Sequence, residues 1–364
     1  MAIDGTIINA CNSNFNIIKK EDIVKTSEII NNQYSEDEIK EKGIKISRTA
    51  YKILTNPKMT DNEKLNYLKS LKSKLRKSGQ NSIGLNDTES RWMINKQGLP
   101  ELAYNMQSSV DYDSKMIVSF DISQEPTDHY QLAKQIDNIK KDVGRNPDKI
   151  SADTGYHTRS SILKLDDEGI DGYIPNRKQT RQQQGKFHTN PYHKDHFKYS
   201  YVTDSFICPE NQELYLQATY REKSNKKGAP DKIKRVYYNN DCYYCEMKSL
   251  CTKSEVRIIT DYGDTLELSM GEKMSTDKGR EEYSKRKVVE APFGVLKNTH
   301  DLNNLSVKGL NQIMNRVALK VVAYNWKRLE NLRTGKHENS STLKNFVNNL
   351  KREYPDLFIL IKIT

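Results

Sequence analysis

The chain has 364 residues and carries 59 Lys and Arg against 48 Asp and Glu, a formal charge of +11, so it is long enough for one large domain or two with a substantial core. That excess favours a polyanionic partner, nucleic acid ahead of a membrane because no amphipathic anchor accompanies the charge, although ribosomal or merely soluble basic proteins share such a composition. No run of about 18 apolar residues exists, and MAIDGTIINACNSNF lacks a basic region followed by an apolar one, so a membrane span and a secretory leader are not expected and an intracellular protein is.

Residues 2–8, AIDGTII, read as a short buried strand interrupted by Asp4 and Gly5. An acid inside such a strand is costly unless paired or metal-bound, which makes Asp4 a candidate ligand; the alternative is ordinary Asp-Gly turn chemistry. From Asn12 to about Ser90 the chain turns polar and helical. Ser35 with Glu38 and Thr60 with Glu63 are capping-box pairs, and the second opens a helix with Leu65, Leu68, Leu71 and Leu75 on one side. Its other side carries Lys64, Lys69, Lys72, Lys74, Arg76 and Lys77, either a solvated face or a track for a DNA backbone.

Alternation at Tyr104, Met106, Ser108 and Val110, a turn at Asp111 to Ser114, and alternation again from Met116 to Ile122 predict a β-hairpin. Thr127 is expected to start a helix striped by Leu132, Ile136, Ile139 and Val143. Then KISAD forms a strand ending at Asp153, a helix runs through Ile162, Leu163 and Leu165, and GIDGYIP forms a further strand. Strand, hairpin, helix, strand, helix, strand implies an α/β fold with a mixed sheet flanked by helices. A right-handed crossover from the hairpin sets the KISAD strand beside and parallel to the first, so Asp4 and Asp153 become neighbours.

Residues 177–200 are basic, Gln-rich and scattered with aromatics, as in a DNA-touching segment or a linker; His188, His193 and His196 lack acids or thiols at ligand spacing. Five cysteines, four of them within residues 208–251, speak for a metal cluster over a disulfide framework. Cys242-x2-Cys245-x5-Cys251, closed by Cys208, is a candidate structural Zn2+ site; reduced thiols in a small β-rich subdomain are the alternative, and Cys11 stands apart.

The most informative stretch is YSKRKVVEAPFGVLK. On a continuous α-helix Tyr283, Arg286, Glu290 and Lys297 fall on one stripe roughly 60° wide, with Pro292 as a kink between the last two. One carboxylate among three phosphate-binding groups suits a metal ligand at a phosphodiester; a solvated charged face is the alternative. Ser306 is expected to open a long amphipathic helix through Leu310, Ile313, Val317, Val321 and Tyr324, and LFILIKI reads as a terminal strand or docking segment.

This ungapped Tyr-x2-Arg-x3-Glu-x6-Lys pattern, with DGT at Asp4 to Thr6, DTGY at Asp153 to Tyr156, and the segments SRWMINKQG, LAYNMQSSVD and FICPENQE, resembles the DDE transposases of bacterial insertion sequences. The resemblance covers Ile3 to about Leu332. It implies a ribonuclease H-like fold, with a helical insertion after the first strand and a cysteine-containing insertion before the last catalytic helix. It further implies that Asp4, Asp153 and Glu290 hold two Mg2+ ions, with Mn2+ as a substitute, while Tyr283, Arg286 and Lys297 position DNA phosphates. The partners it implies are the insertion-sequence ends and target DNA, bound by a homodimer in the bacterial cytoplasm and nucleoid, with no membrane. Domain boundaries on this reading are 1–11, first strand; 12–98, helical insertion; 99–176, catalytic core; 177–276, basic and cysteine-containing insertion; 277–332, core helices; and 333–364, tail. Relatives carry a helical region ahead of the first acidic strand, whereas here Met1 stands three residues before Asp4. The chain therefore resembles a catalytic portion, and the alternative function is that of a truncated, inactive DNA-binding remnant.

Overall fold

The computed structural model describes residues 1–12, 16–95, 97–183, 185, 188–223, 232–262 and 265–334. In chain order the elements begin with β1 (Ala2–Asn9), β2 (Ile17–Lys19), α1 (Lys20–Asn32), α2 (Glu36–Glu41), α3 (Arg48–Leu54), α4 (Asp61–Ser78) and β3 (Ser82–Gly84). They continue with β4 (Arg91–Ile94), β5 (Pro100–Val110), β6 (Ile117–Ser123), α5 (Gln131–Val143), β7 (Lys149–Ala152), α6 (Arg159–Asp167), β8 (Asp171–Tyr173) and α7 (Arg177–Gln183). Next come β9 (Lys198–Ser200), β10 (Ser205–Ile207), β11 (Glu213–Glu222), β12 (Lys232–Tyr238), α8 (Lys248–Cys251) and β13 (Ile259–Asp261). The described chain closes with α9 (Thr265–Ser275), α10 (Asp277–Ser284), a 3-10 segment Lys285–Val289, α11 (Glu290–Asn298) and α12 (Leu310–Arg333).

A mixed sheet of six strands has the order β4-β5-β1-β7-β8, with β6 paired to β5. β1 and β7 are parallel, with Ala2 opposite Ser151 and Ile3 opposite Ala152, and β7 is parallel to β8. The crossover reasoning therefore holds. β4 is antiparallel to β5, a strand the helical reading of residues 12–98 did not anticipate.

Two compact units divide the chain. The first comprises Met1–Asp4, Ser108–Ser119 and Asp128–Ala291; the second comprises Gly5–Gln107, Phe120–Thr127 and Pro292–Thr364. In the first, Leu132, Ile136 and Ile139 of α5 and Ile162 and Leu165 of α6 join Ile3, Ile150 and Ala152 in one buried cluster. Each Leu or Ile side chain among them contributes roughly 1.5–3 kcal/mol by leaving water. The same unit holds a five-stranded antiparallel sheet, β13-β12-β11-β10-β9.

In the second unit both capping boxes form: Ser35 accepts from the Glu38 N–H, and Thr60 from the Glu63 N–H, with each glutamate reaching back to its cap. Leu68, Leu71 and Leu75 of α4 are buried with Ile18, Ile23 and Ile83, while Lys69, Lys72, Lys74, Arg76 and Lys77 face solvent. α12 buries Ile313, Val317, Val321 and Tyr324, and it opens at Leu310 after Gly309, whose φ of 82° breaks any continuation from Ser306. No helix among the described residues is long and apolar enough to cross a membrane. The LFILIKI segment and the polar stretch before it lie outside the described residues.

Candidate active site

Because Ile3 pairs with Ala152, the next residue of each strand brings Asp4 and Asp153 side by side. Asp153 leaves β7 in extended conformation and caps the 3-10 turn Thr154–Tyr156, its Oδ1 accepting the Gly155 N–H at 2.7 Å. A Cβ on Gly155 would sit 2.9 Å from that Oδ1 and 3.6 Å from Oδ2 of Asp128. A side chain there would push the Asp153 carboxylate off the Gly155 N–H, so the bare backbone lets that bond form. Burial pushes the Asp153 carboxyl above its ordinary range and the charge of Asp128 adds to this, against the Gly155 N–H and the Arg286 guanidinium.

Arg286, from the 3-10 segment after α10, donates Nη1 to Asp4 Oδ2 at 2.9 Å, with side chains only 21% and 19% exposed. Burial alone would lower its pKa, but Asp4, Tyr283 and Asp153 outweigh that and raise it. The Tyr283 ring lies 5.9 Å from the guanidinium, and burial, seconded by Asp153 and Asp4, raises its phenol. Two acids, a forked cation and a phenol therefore share one partly buried site.

Glu290 stands differently. The expected stripe assumed an unbroken α-helix, whereas Lys285–Val289 is 3-10 and Glu290 begins α11. A 3-10 turn advances about 120° per residue, so Glu290 lands roughly 60–80° further round than an α-helix would carry it. Its side chain is exposed. Pro292 falls in the first turn of α11, where its missing N–H costs no helical bond, so the irregularity precedes Glu290 instead of following it. Lys297 belongs to the second unit and donates Nζ to the Ile7 carbonyl at 3.1 Å. Among the described residues no three His, Cys, Asp or Glu side chains already stand as a metal-holding group.

Asp128 and His129 are the residues that sequence reading missed. A helix was expected from Thr127, but α5 starts at Gln131 because Tyr130 takes φ 105°. This turns the preceding residues toward Asp153, and His129 Nδ1 sits 2.6 Å from the Gly155 carbonyl. A bulky residue held at positive φ is a strained conformation of the sort that functional sites retain. The only sequence signal was Pro126 with two polar residues after it.

Cys208, Cys242, Cys245 and Cys251 all line one cavity of the first unit, and Cys11 lies in the second. Residues 207–330 match the model of a family described as a transposase DDE domain. The match takes in Tyr283, Arg286, Glu290, Lys297 and the four clustered cysteines but neither Asp4 nor Asp153, and it supports a DDE transposase. Neither a curated protein nor a solved structure matches the chain.

Proposed function

We propose that the chain is the transposase of a bacterial insertion sequence, with a ribonuclease H-like core, cutting and joining DNA by metal-dependent in-line phosphoryl transfer. The observation that carries this reading is the convergence of Asp4 and Asp153, from neighbouring parallel strands, on Arg286, which lies within the stretch matched by the transposase DDE model. The donor set fits a hard divalent cation. Carboxylate oxygens suit Mg2+ or Mn2+, and the burial that raises Asp153 beside Asp128 is a charge imbalance that a cation would relieve. Asp4 and Asp153 would hold the metal, with Glu290 as the third ligand. Two such ions, when bound, supply Lewis-acid stabilisation of the attacking and leaving oxygens.

The chain's own groups do the rest. Arg286 presents a fork that fits phosphate oxygens, Tyr283 braces that fork, and Lys297 adds a point charge for the DNA backbone. The +11 charge draws in duplex DNA, at an ionic-strength-dependent rate. Insertion-sequence ends and target DNA are the substrates, and a homodimer in the cytoplasm is the acting form.

The exposure of Glu290 favours one competing reading, a DNA-binding protein without catalysis. Nicking of duplex DNA bearing the element's ends separates the two. The transposase reading requires Mg2+-dependent cleavage that disappears in Asp153→Asn while DNA binding persists. Salt-sensitive binding with no cleavage under any divalent ion would establish the other.

A further inference from the structure

The five-stranded sheet of the first unit has little to hold it. Its buried apolar cluster is Phe197, Phe206, Leu214, Tyr237 and Ile259, with Cys208 and Cys251 packed against it. Along β11 the burial alternates weakly, with half of its ten residues exposed and only Leu214 buried. So small a core is normally supplemented by a covalent or metal staple.

Three loops bring thiols to one cavity beside that core, which Tyr192, Phe197 and Arg257 also line. Cys208 follows β10 in a tight turn in which its N–H bonds the Gln212 carbonyl at 2.8 Å, and the Gln212 N–H points back at Cys208 Sγ at 3.3 Å. An amide aimed at sulfur is what a metal-bound thiolate accepts. Cys242 and Cys245 form the Cys-x2-Cys turn after β12, with the Cys245 N–H on the Cys242 carbonyl at 3.4 Å. Cys251 ends α8, and its carbonyl is held by Arg257 Nη1 at 3.3 Å. None of the four is in a disulfide.

We propose that Cys208, Cys242, Cys245 and Cys251 bind one Zn2+ as a tetrathiolate that staples the end of this sheet. Two turns and a helix end supply the ligands, and Arg257 and Lys248, both lining the cavity, offset the net negative charge of such a centre. The sulfurs do not yet meet at coordination distance, so binding draws them inward by rotation of side chains that are only partly buried. Arg257 ties this centre to the chain before β9: its Nη2 donates to the Tyr192 carbonyl at 3.2 Å, and its guanidinium lies 5.3 Å from the Phe197 ring. The metal therefore sets the geometry of the sheet and does no chemistry on DNA.

The full-length chain, purified without chelator, is assayed for zinc by mass spectrometry, then stripped and titrated with Co2+. The expected result is about one zinc per chain and the visible ligand-field bands of tetrahedral thiolate-bound cobalt. Zinc is lost in Cys245→Ser and kept in Cys11→Ser. Cys251→His retains the metal with a shifted cobalt spectrum, which guards against a variant that simply fails to fold. Wild-type protein with neither zinc nor a tetrahedral cobalt spectrum would overturn the proposal, as would undiminished zinc in Cys245→Ser or a disulfide between any two of the four in the reduced cytoplasmic protein.

Discussion

Replacing Arg286 by alanine removes the guanidinium that lies 2.9 Å from Asp4 Oδ2, and leaves that carboxylate beside Asp153 with the charge of Asp128 close by. Two opposite charges about 4 Å apart attract by roughly 4 kcal/mol at an effective dielectric of 20, and desolvation offsets much of that. Breaking a fully buried pair costs about 3–5 kcal/mol. Both side chains here keep about a fifth of their surface exposed, so the expected loss for Arg286→Ala is ~2–3 kcal/mol. Asp4→Asn in the wild-type background also destabilises, by leaving the guanidinium poorly paired, whereas the double variant loses less than the sum. The coupling should be about 1–2 kcal/mol, measured by guanidinium unfolding followed by circular dichroism. Because a divalent cation would relieve the same imbalance, Mg2+ should raise the melting temperature of Arg286→Ala more than that of the wild type. Additive single effects, or an Arg286→Ala protein as stable as wild type, would refute the claim that the guanidinium neutralises a paired-acid site.

Three further changes probe each unit's own packing and charge network. Gly279 is buried at the start of α10, and a Cβ there would collide with the backbone carbonyl oxygen of Lys273. Gly279→Ala should therefore destabilise by ~1–3 kcal/mol in thermal melts, because backbone must move. Leu68→Ala removes a side chain with 0% exposure from the second unit's core and should cost about 2–5 kcal/mol in a denaturant titration. Glu168 is held down to about 2 by hydrogen bonds from Lys140, Lys164 and Asn146. A carboxylate whose folded value lies below its ordinary 4.5 stabilises fully above that pH, and its contribution fades as pH falls from about 4.5 to about 2. Glu168→Gln should flatten the pH dependence of stability in that window and nowhere else; an unchanged acid limb would count against the ion-pair network.

The parts of the fold legible in sequence were those set by local chemistry or by chain order. Ser35 and Thr60 announced their helices through reciprocal caps, and the order of strands and crossovers was enough to pair Asp4 with Asp153. Periodicity failed where rotation per residue or solvent exposure departed from the ideal. The Tyr-Arg-Glu-Lys stripe presumed about 100° throughout, and the 3-10 segment Lys285–Val289 broke it between Arg286 and Glu290. On β5, polar residues alternate with apolar ones, yet Asn105, Gln107, Ser108 and Ser109 are all buried, because a central strand is covered on both faces. Gln107 Nε2 donates to Asn105 Oδ1 at 3.1 Å and Ser109 Oγ to Gln135 Oε1 at 3.2 Å, whereas Ser108 Oγ is buried without a hydrogen-bond partner. Asp128 escaped notice because it came to the site through a positive φ at Tyr130, which no composition rule foretells.

The most direct test of the account is Mg2+- or Mn2+-dependent nicking of DNA carrying the element's ends, comparing the wild-type chain with Glu290→Ala at matched DNA occupancy. The account predicts cleavage by the wild type and its loss in the variant with binding intact. Equal cleavage by both would remove Glu290 from the site, and equal binding with no cleavage by either would contradict a working transposase.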